Sequence, residues 1–214
     1  MDEEIAIIDA KSRNEKIKNF FINNKKRIIS IISIIILLII AYFAYIAFLK
    51  SSKIKIAEKY NKATINFILG DKENAKKDLI EIINKNDKTY SILSLYFIID
   101  NDIVVDVKEV NQLFDLVINK SGTKKEIKNL IIFKKALFNS DFESESNLIE
   151  ILNPLINSKS IWKSHALYLM AEYFYFKNEK QKSKEFFNKI LILENSNLNI
   201  KTEAQKRLNR DFSE

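Results

Sequence analysis

The stretch AEKYNKATINFILGDKENAKKDLIEII, residues 57–83, predicts two packed helices joined by a tight turn. Its apolar residues recur at intervals of three and four, which is the spacing of one helix face, on both sides of Gly70 and Asp71. Glycine readily adopts the left-handed backbone that often ends a helix. We expect the small residues Ala63 and Ala75 to lie where the two helices cross most closely.

A second stretch, residues 165–191, repeats this pattern. Ala171 and Ser183 take the places of the two small residues, and Asn178 takes the place of the turn glycine. The repeat has the helix–turn–helix form of a tetratricopeptide unit. Two ordinary amphipathic hairpins are the alternative interpretation. Ala166 is expected to be less tightly packed than Ala171.

The rest of the chain is also predicted to be helical, because two glycines and one proline in 214 residues are too few for the turns of a sheet. The segment DNDIVVDV, residues 100–107, resembles a strand, but an isolated strand in such a chain is better read as a helix start. Further helices are predicted over 90–99, 107–118, 124–139, 146–156, 162–176, 179–193 and 200–208.

Residues 28–49 predict a membrane span, since these 22 residues contain no charge, proline or glycine. A helix of this length reaches roughly 33 Å, enough to cross a hydrocarbon layer of about 30 Å. A soluble core helix would carry a polar face, and a signal peptide would have a shorter apolar region. We therefore predict three parts: a cytoplasmic segment over 1–27, the span over 28–49 and a helical domain over 50–214.

Lysine and arginine flank both ends of the span, and the triplet 25–27 directly before it favours a cytoplasmic N-terminus. The small residues Ala41, Ala44 and Ala47 recur at three-residue spacing and are predicted to form a face that contacts other membrane helices. The basic residues are Lys11, Arg13, Lys16, Lys18, Lys25, Lys26 and Arg27 before the span, and Lys50, Lys53, Lys55, Lys59 and Lys62 after it.

The net charge of +7 does not predict nucleic-acid binding, because 28 acidic residues interleave with the 35 basic ones and arginine is rare. The chain has no cysteine and one histidine, His165, so it lacks the partners that a metal site or a catalytic triad requires. Asp100, Asp102 and Asp106 lack the glycine and closing glutamate of a calcium loop. No enzyme activity, metal or cofactor is expected.

Aromatic residues crowd the positions 173–176. Neighbouring residues of a helix point about 100° apart, so these four side chains cannot all face the core. Packing between successive hairpins is one explanation, and a partner-binding groove is the other. On the tetratricopeptide pattern, the groove-facing residues are predicted to be Tyr168, Glu172, Tyr175 and Phe176.

The segment LNPLINSKSIWKSHALYLMAEYFYFKNEKQKSKEFFNKIL, residues 152–191, together with the position of the span, resembles the YfgM-like family of Gram-negative bacteria. The chain departs from the family pattern at the second turn, where Lys177 and Asn178 replace Gly-Asp, and before Trp162, where Ser-Ile replaces Gly-Pro. The motif residues are Leu152, Pro154, Leu155, Trp162, Ala166, Ala171, Phe187, Ile190 and Leu191.

This resemblance implies a single-pass protein of the bacterial inner membrane with its tetratricopeptide-like domain in the periplasm. It also implies an ancillary subunit of the Sec translocon, with translocon subunits, periplasmic chaperones or emerging chains as partners. A cell-envelope organiser or regulator that uses similar repeats is the alternative, and a cytoplasmic-facing adaptor would require the opposite topology. The repeats themselves specify a scaffold and not its partner.

Overall fold

The computed structural model describes residues 13, 15–16, 18–20 and 22–212, and these residues form helices and connections without any strand. The all-α prediction is therefore confirmed for the described part of the chain. Over residues 100–107, one helix ends and the next begins, as predicted. Lys11 and the other residues before 13 in the predicted cytoplasmic segment lie outside the described residues.

The chain divides into two compact units, residues 1–56 and 57–214, and the division falls within the first long helix. From residue 25 onward, the helices are α1 (Lys25–Ile68), α2 (Lys72–Asn84), α3 (Tyr90–Asp100), α4 (Val107–Lys120), α5 (Lys125–Asn139), α6 (Glu145–Ile156), α7 (Lys163–Phe176), α8 (Lys180–Leu191) and α9 (Leu198–Asp211).

In the first unit, α1 is long and apolar enough to cross a membrane. Nearly all side chains over residues 28–49 are exposed, including large isoleucine, leucine and aromatic groups. In water, such a surface would be very unfavourable, whereas in lipid it requires no protein cover. The three small residues Ala41, Ala44 and Ala47 are exposed along this helix.

The second unit is a row of helical hairpins, as the sequence predicts. Each helix from α2 to α9 contacts the next one, and α2 also contacts α4, α5 contacts α7, and α7 contacts α9. Short connections between packed helices make successive helices antiparallel. Within the second unit, which includes residues 57–68 of α1, the odd-numbered helices therefore run in one direction and the even-numbered helices in the other.

The two turns of the sequence repeat have the predicted left-handed backbone. Gly70 has φ +92° and Asn178 has φ +62°. After the first turn, the carboxylate of Asp71 accepts a hydrogen bond from the backbone N–H of Asn74 at 3.3 Å and so caps the start of α2.

The small residues of the repeat, Ala63, Ala75, Ala171 and Ser183, are all fully buried, as expected at helix crossings. The expectation for Ala166 is wrong, because this side chain is also fully buried. It packs in a core cluster with the leucines of α6, since α7 is enclosed by α5 and α6 as well as by α8 and α9.

Candidate functional site

Two apolar pockets lie on either side of α5, and Leu137 forms a wall of both. The first pocket, of about 190 Å³, lies between α3 and α5. The second, of about 270 Å³, lies between α5, α7 and the start of α9. We call this pair of pockets the groove. Its main lining residues are Tyr96, Ile99 and Lys134 in the first pocket, and Phe133, Leu169 and Ile200 in the second.

An aromatic stack supports the second pocket. The ring of Trp162 stacks on Phe133 at 5.8 Å between centroids, and His165 lies 5.0 Å from Trp162. Two hydrogen bonds hold this stack against the start of α5: Trp162 Nε1 donates to the carbonyl oxygen of Glu126 at 3.1 Å, and Ser160 Oγ donates to the Glu126 carboxylate at 2.8 Å. The segment before α7 thereby fixes one wall of the pocket.

His165 contributes an uncharged wall at neutral pH. Burial lowers the pKa of its imidazole, and the carbonyl of Ile161 opposes this effect only in part. Its buried Nδ1 has no hydrogen-bond partner of good geometry among the described residues. A charged ring there would be costly, so the second pocket presents an apolar surface to a ligand.

Tyr96 gives the first pocket an uncharged wall as well. Burial, helped by the nearby carboxylate of Asp100, raises the pKa of Tyr96 to about 12, so its hydroxyl stays neutral. The Nζ of Lys134 lies 5.7 Å above the Tyr96 ring, which places one cation at the rim. The groove is therefore mainly apolar, and its charged lining residues are Asp100 and Lys134 in the first pocket and Glu172 in the second.

The structure brings two of the predicted partner-binding residues, Tyr168 and Glu172, into the second pocket. Arg207 on α9 holds the Glu172 carboxylate, with Nε 2.8 Å from Oε1 and Nη2 donating to Oε2 at 3.0 Å. The same guanidinium lies 4.4 Å from the centre of the Tyr175 ring. Within this chain α9 thus covers Tyr175, whereas Phe176 lies outside the groove and is 84% exposed.

The aromatic run splits between core and surface, as the helix geometry requires. Tyr173 and Phe174 are buried, and the Tyr173 hydroxyl donates to the carbonyl oxygen of Glu143 at 3.2 Å. Packing between hairpins therefore accounts for half of the run.

Sequence reasoning missed the α5 side of the groove. On α5, Phe133 and Leu137 are four residues apart and lie outside the buried stripe of Ile131, Ile132 and Ala136. A second apolar stripe on one helix was the available signal, because a helix with two apolar faces has more than one packing partner.

A larger cleft of about 500 Å³ lies between α4, α5 and α6, and its lining mixes apolar side chains with polar groups, several of which bond to one another. Asn111 and Asn139 exchange two side-chain hydrogen bonds of 2.8 Å, and Lys135 pairs with Asp115 at 2.8 Å. These groups need no ligand to complete them. The groove, whose walls are more uniformly apolar, is the better candidate for a site that binds apolar side chains.

Over the described residues, no group of three histidine, cysteine, aspartate or glutamate side chains could hold a metal ion. Neither a family model, nor a curated protein, nor a solved structure matches the chain.

Proposed function

We propose that this protein is a non-enzymatic, membrane-anchored scaffold that binds apolar segments of other polypeptides in the groove. The two adjacent apolar pockets that share Leu137 carry this proposal. Pockets with apolar walls and few charges suit large apolar side chains, which supply most of the binding energy at protein interfaces. The long apolar part of α1 supplies the anchor.

The spacing of the pockets favours an amphipathic helix as the bound segment. Packed helix axes lie about 8–10 Å apart, so pockets on the two sides of α5 are separated by about 10 Å. In a bound helix, residues i and i+7 lie on one face and are about 10.5 Å apart. In an extended chain, a similar distance separates residues i and i+3, but these side chains point to opposite faces of the chain. An extended segment would therefore place only one of the two side chains in the groove.

The more specific proposal is an ancillary subunit of the Sec translocon in the bacterial inner membrane, with the N-terminus cytoplasmic and the hairpin domain periplasmic. The resemblance of residues 152–191 to the YfgM-like family and the basic triplet at 25–27 support it. The partners would be translocon subunits together with periplasmic chaperones or emerging chains. A cell-envelope organiser would use the same groove for a different protein.

Site-specific photo-crosslinking in cells tests the groove. A crosslinker at Leu169 should capture polypeptides, and Leu137→Asp should abolish this capture without unfolding the domain, because Leu137 is 46% exposed. Ile192→Asp, at an exposed apolar residue outside the groove, is the matched control and should leave capture intact. Capture that survives Leu137→Asp would exclude the groove as the site.

Topology and partner identity need a second experiment. A reporter that is active only outside the cytoplasm, fused after Glu214, should be active. Replacing 28–49 with an unrelated span should reduce co-purification with the translocon, if Ala41, Ala44 and Ala47 form its contact face, and should spare groove-dependent crosslinks. Unchanged co-purification would mean that the span is only an anchor, and crosslinks to proteins of cell-wall synthesis would favour the organiser.

A further inference from the structure

The odd-to-even turns of the hairpin domain share a composition that the groove does not explain. These turns are residues 69–71, 101–106, 140–144 and 177–179, which connect α1 to α2, α3 to α4, α5 to α6 and α7 to α8. Because successive helices are antiparallel, every second connection lies at the same end of the row. We call this end the odd-to-even edge.

Each of these turns carries or adjoins a strongly exposed large apolar side chain. Leu69 is 78% exposed, Val105 83%, Phe142 52% and Phe176 84%. A single exposed apolar residue is ordinary on a protein surface. Here an exposed apolar residue lies at each of four turns along the same edge. Together these residues form a row of side chains that a partner could cover.

The edge is also acidic, although the chain as a whole has a net charge of +7. The only lysine in the four turns, Lys177, lies with its Nζ 5.4 Å over the ring of Tyr173. The helix dipoles do not offset this negative charge. The C-termini of odd-numbered helices, which are partly negative, and the N-termini of even-numbered helices, which are partly positive, meet at this edge and their effects cancel. The carboxylates of the edge are Asp71, Asp102, Asp106, Asp141, Glu143 and Glu179.

The turns at the opposite end of the row contain more basic than acidic residues. The turns over 85–89, 121–124, 157–162 and 192–197 contain four lysines and only two acidic residues. The acidity of the odd-to-even edge is therefore not a general property of the turns in this chain.

We propose that the odd-to-even edge is a second binding surface, for a polypeptide segment in which lysine or arginine alternates with large apolar residues. The apolar row supplies contact area, and the carboxylates supply complementary charge, which favours association and selects the partner. An anionic membrane surface would be repelled by this edge. This edge is separate from the groove, and none of its turn residues lines the two pockets.

The absence of cysteine from the chain makes a direct test possible, because one engineered cysteine can be labelled alone. The full chain would be placed in nanodiscs with an environment-sensitive fluorophore on Phe142→Cys, or on Ile192→Cys at the opposite end as control. The probe is a synthetic amphipathic peptide of lysine and leucine. A peptide of glutamate and leucine with the same pattern is its control.

We expect the lysine peptide to shift the emission at position 142 and not at 192, and to bind more weakly as salt increases. Asp102→Asn with Asp141→Asn should weaken binding about three- to tenfold. Both changes keep the shape of the side chain, and asparagine tolerates the positive φ of Asp102. Asp87→Asn with Glu194→Gln removes equal charge at the other end and should have no effect.

Four results would overturn the proposal. Equal binding of the glutamate peptide would exclude charge selection, and equal weakening by the control pair would exclude this location. An emission shift at 142 on anionic nanodiscs without peptide would identify the bilayer as the occupant. A shift that depends on protein concentration without peptide would identify a second copy of the chain.

Discussion

Ser183 Oγ on α8 donates a 2.8 Å hydrogen bond to the carbonyl oxygen of Ala171 on α7, and both residues are fully buried. The two helices therefore approach closely enough for a side chain of one to reach the backbone of the other. A larger residue at either position would push them apart. The bond also satisfies a hydroxyl that would otherwise be buried without a partner, which is costly.

Ser183→Ala should lower the free energy of unfolding by about 0.5–1.5 kcal/mol, the usual net contribution of such a hydrogen bond. Urea unfolding of residues 57–214 measures the change. Ser146→Ala, at an exposed serine of α6, is the control and should have little effect. Equal stability of the two variants would show that the α7–α8 hydrogen bond does not contribute.

Ala171→Leu should destabilise the hairpin domain by about 1–3 kcal/mol, because the added atoms overpack the crossing. Since Ala166 is equally buried, Ala166→Leu should have a cost in the same range. Asn188→Leu on the exposed face of α8 adds an apolar side chain without burying it and should change stability by less than about 0.5 kcal/mol. Thermal melting that ranks Asn188→Leu with the two alanine variants would contradict this packing.

Gly70→Ala should destabilise the domain by about 1 kcal/mol, since alanine is strained at φ +92°. A Cβ at this position would meet no atom within 4 Å, so the cost is one of backbone conformation alone. Asn178→Gly tests the same principle in the opposite direction and should be neutral or stabilising, whereas Asn178→Ala should destabilise. Urea unfolding distinguishes these three variants.

Stability should fall as the pH falls below about 6.5, because burial lowers the pKa of His165 in the folded state. Above this pH, the imidazole is neutral in both states and contributes no pH dependence. Below it, the unfolded chain takes up a proton that the folded chain resists, which favours unfolding.

His165→Leu should flatten the unfolding free energy between about pH 6.5 and 5, since His165 is the only histidine. Carboxylates whose pKa is lowered by neighbouring cations, such as Asp211 beside Arg210, act at lower pH. An unchanged pH profile in the His165→Leu variant would contradict this assignment.

Features of the fold that depend on a few neighbouring residues were predicted well from the sequence. The turn at Gly70 and its counterpart at Asn178 followed from residue type, because few residues accept a left-handed backbone. The membrane candidate followed from one uninterrupted apolar run. The burial of Ala166 did not follow, because it depends on which other helices enclose α7.

The groove shows the same limit. Tyr168 and Glu172 were predicted from the repeat pattern, since a repeated motif places equivalent residues on equivalent faces. The sequence did not predict where α9 packs against α7. Nothing in it therefore indicated that Arg207 holds Glu172 and covers Tyr175.

By itself, the sequence determined approximately where the helices from α2 to α9 lie, which faces are apolar and that residues 28–49 suit a membrane, because periodicity, turn residues and hydropathy are local properties. Only the tertiary structure decided that α3 and α7 lie on either side of α5 and leave two apolar pockets against Leu137. A pocket is the space between residues distant in sequence, so its position depends on how whole helices pack.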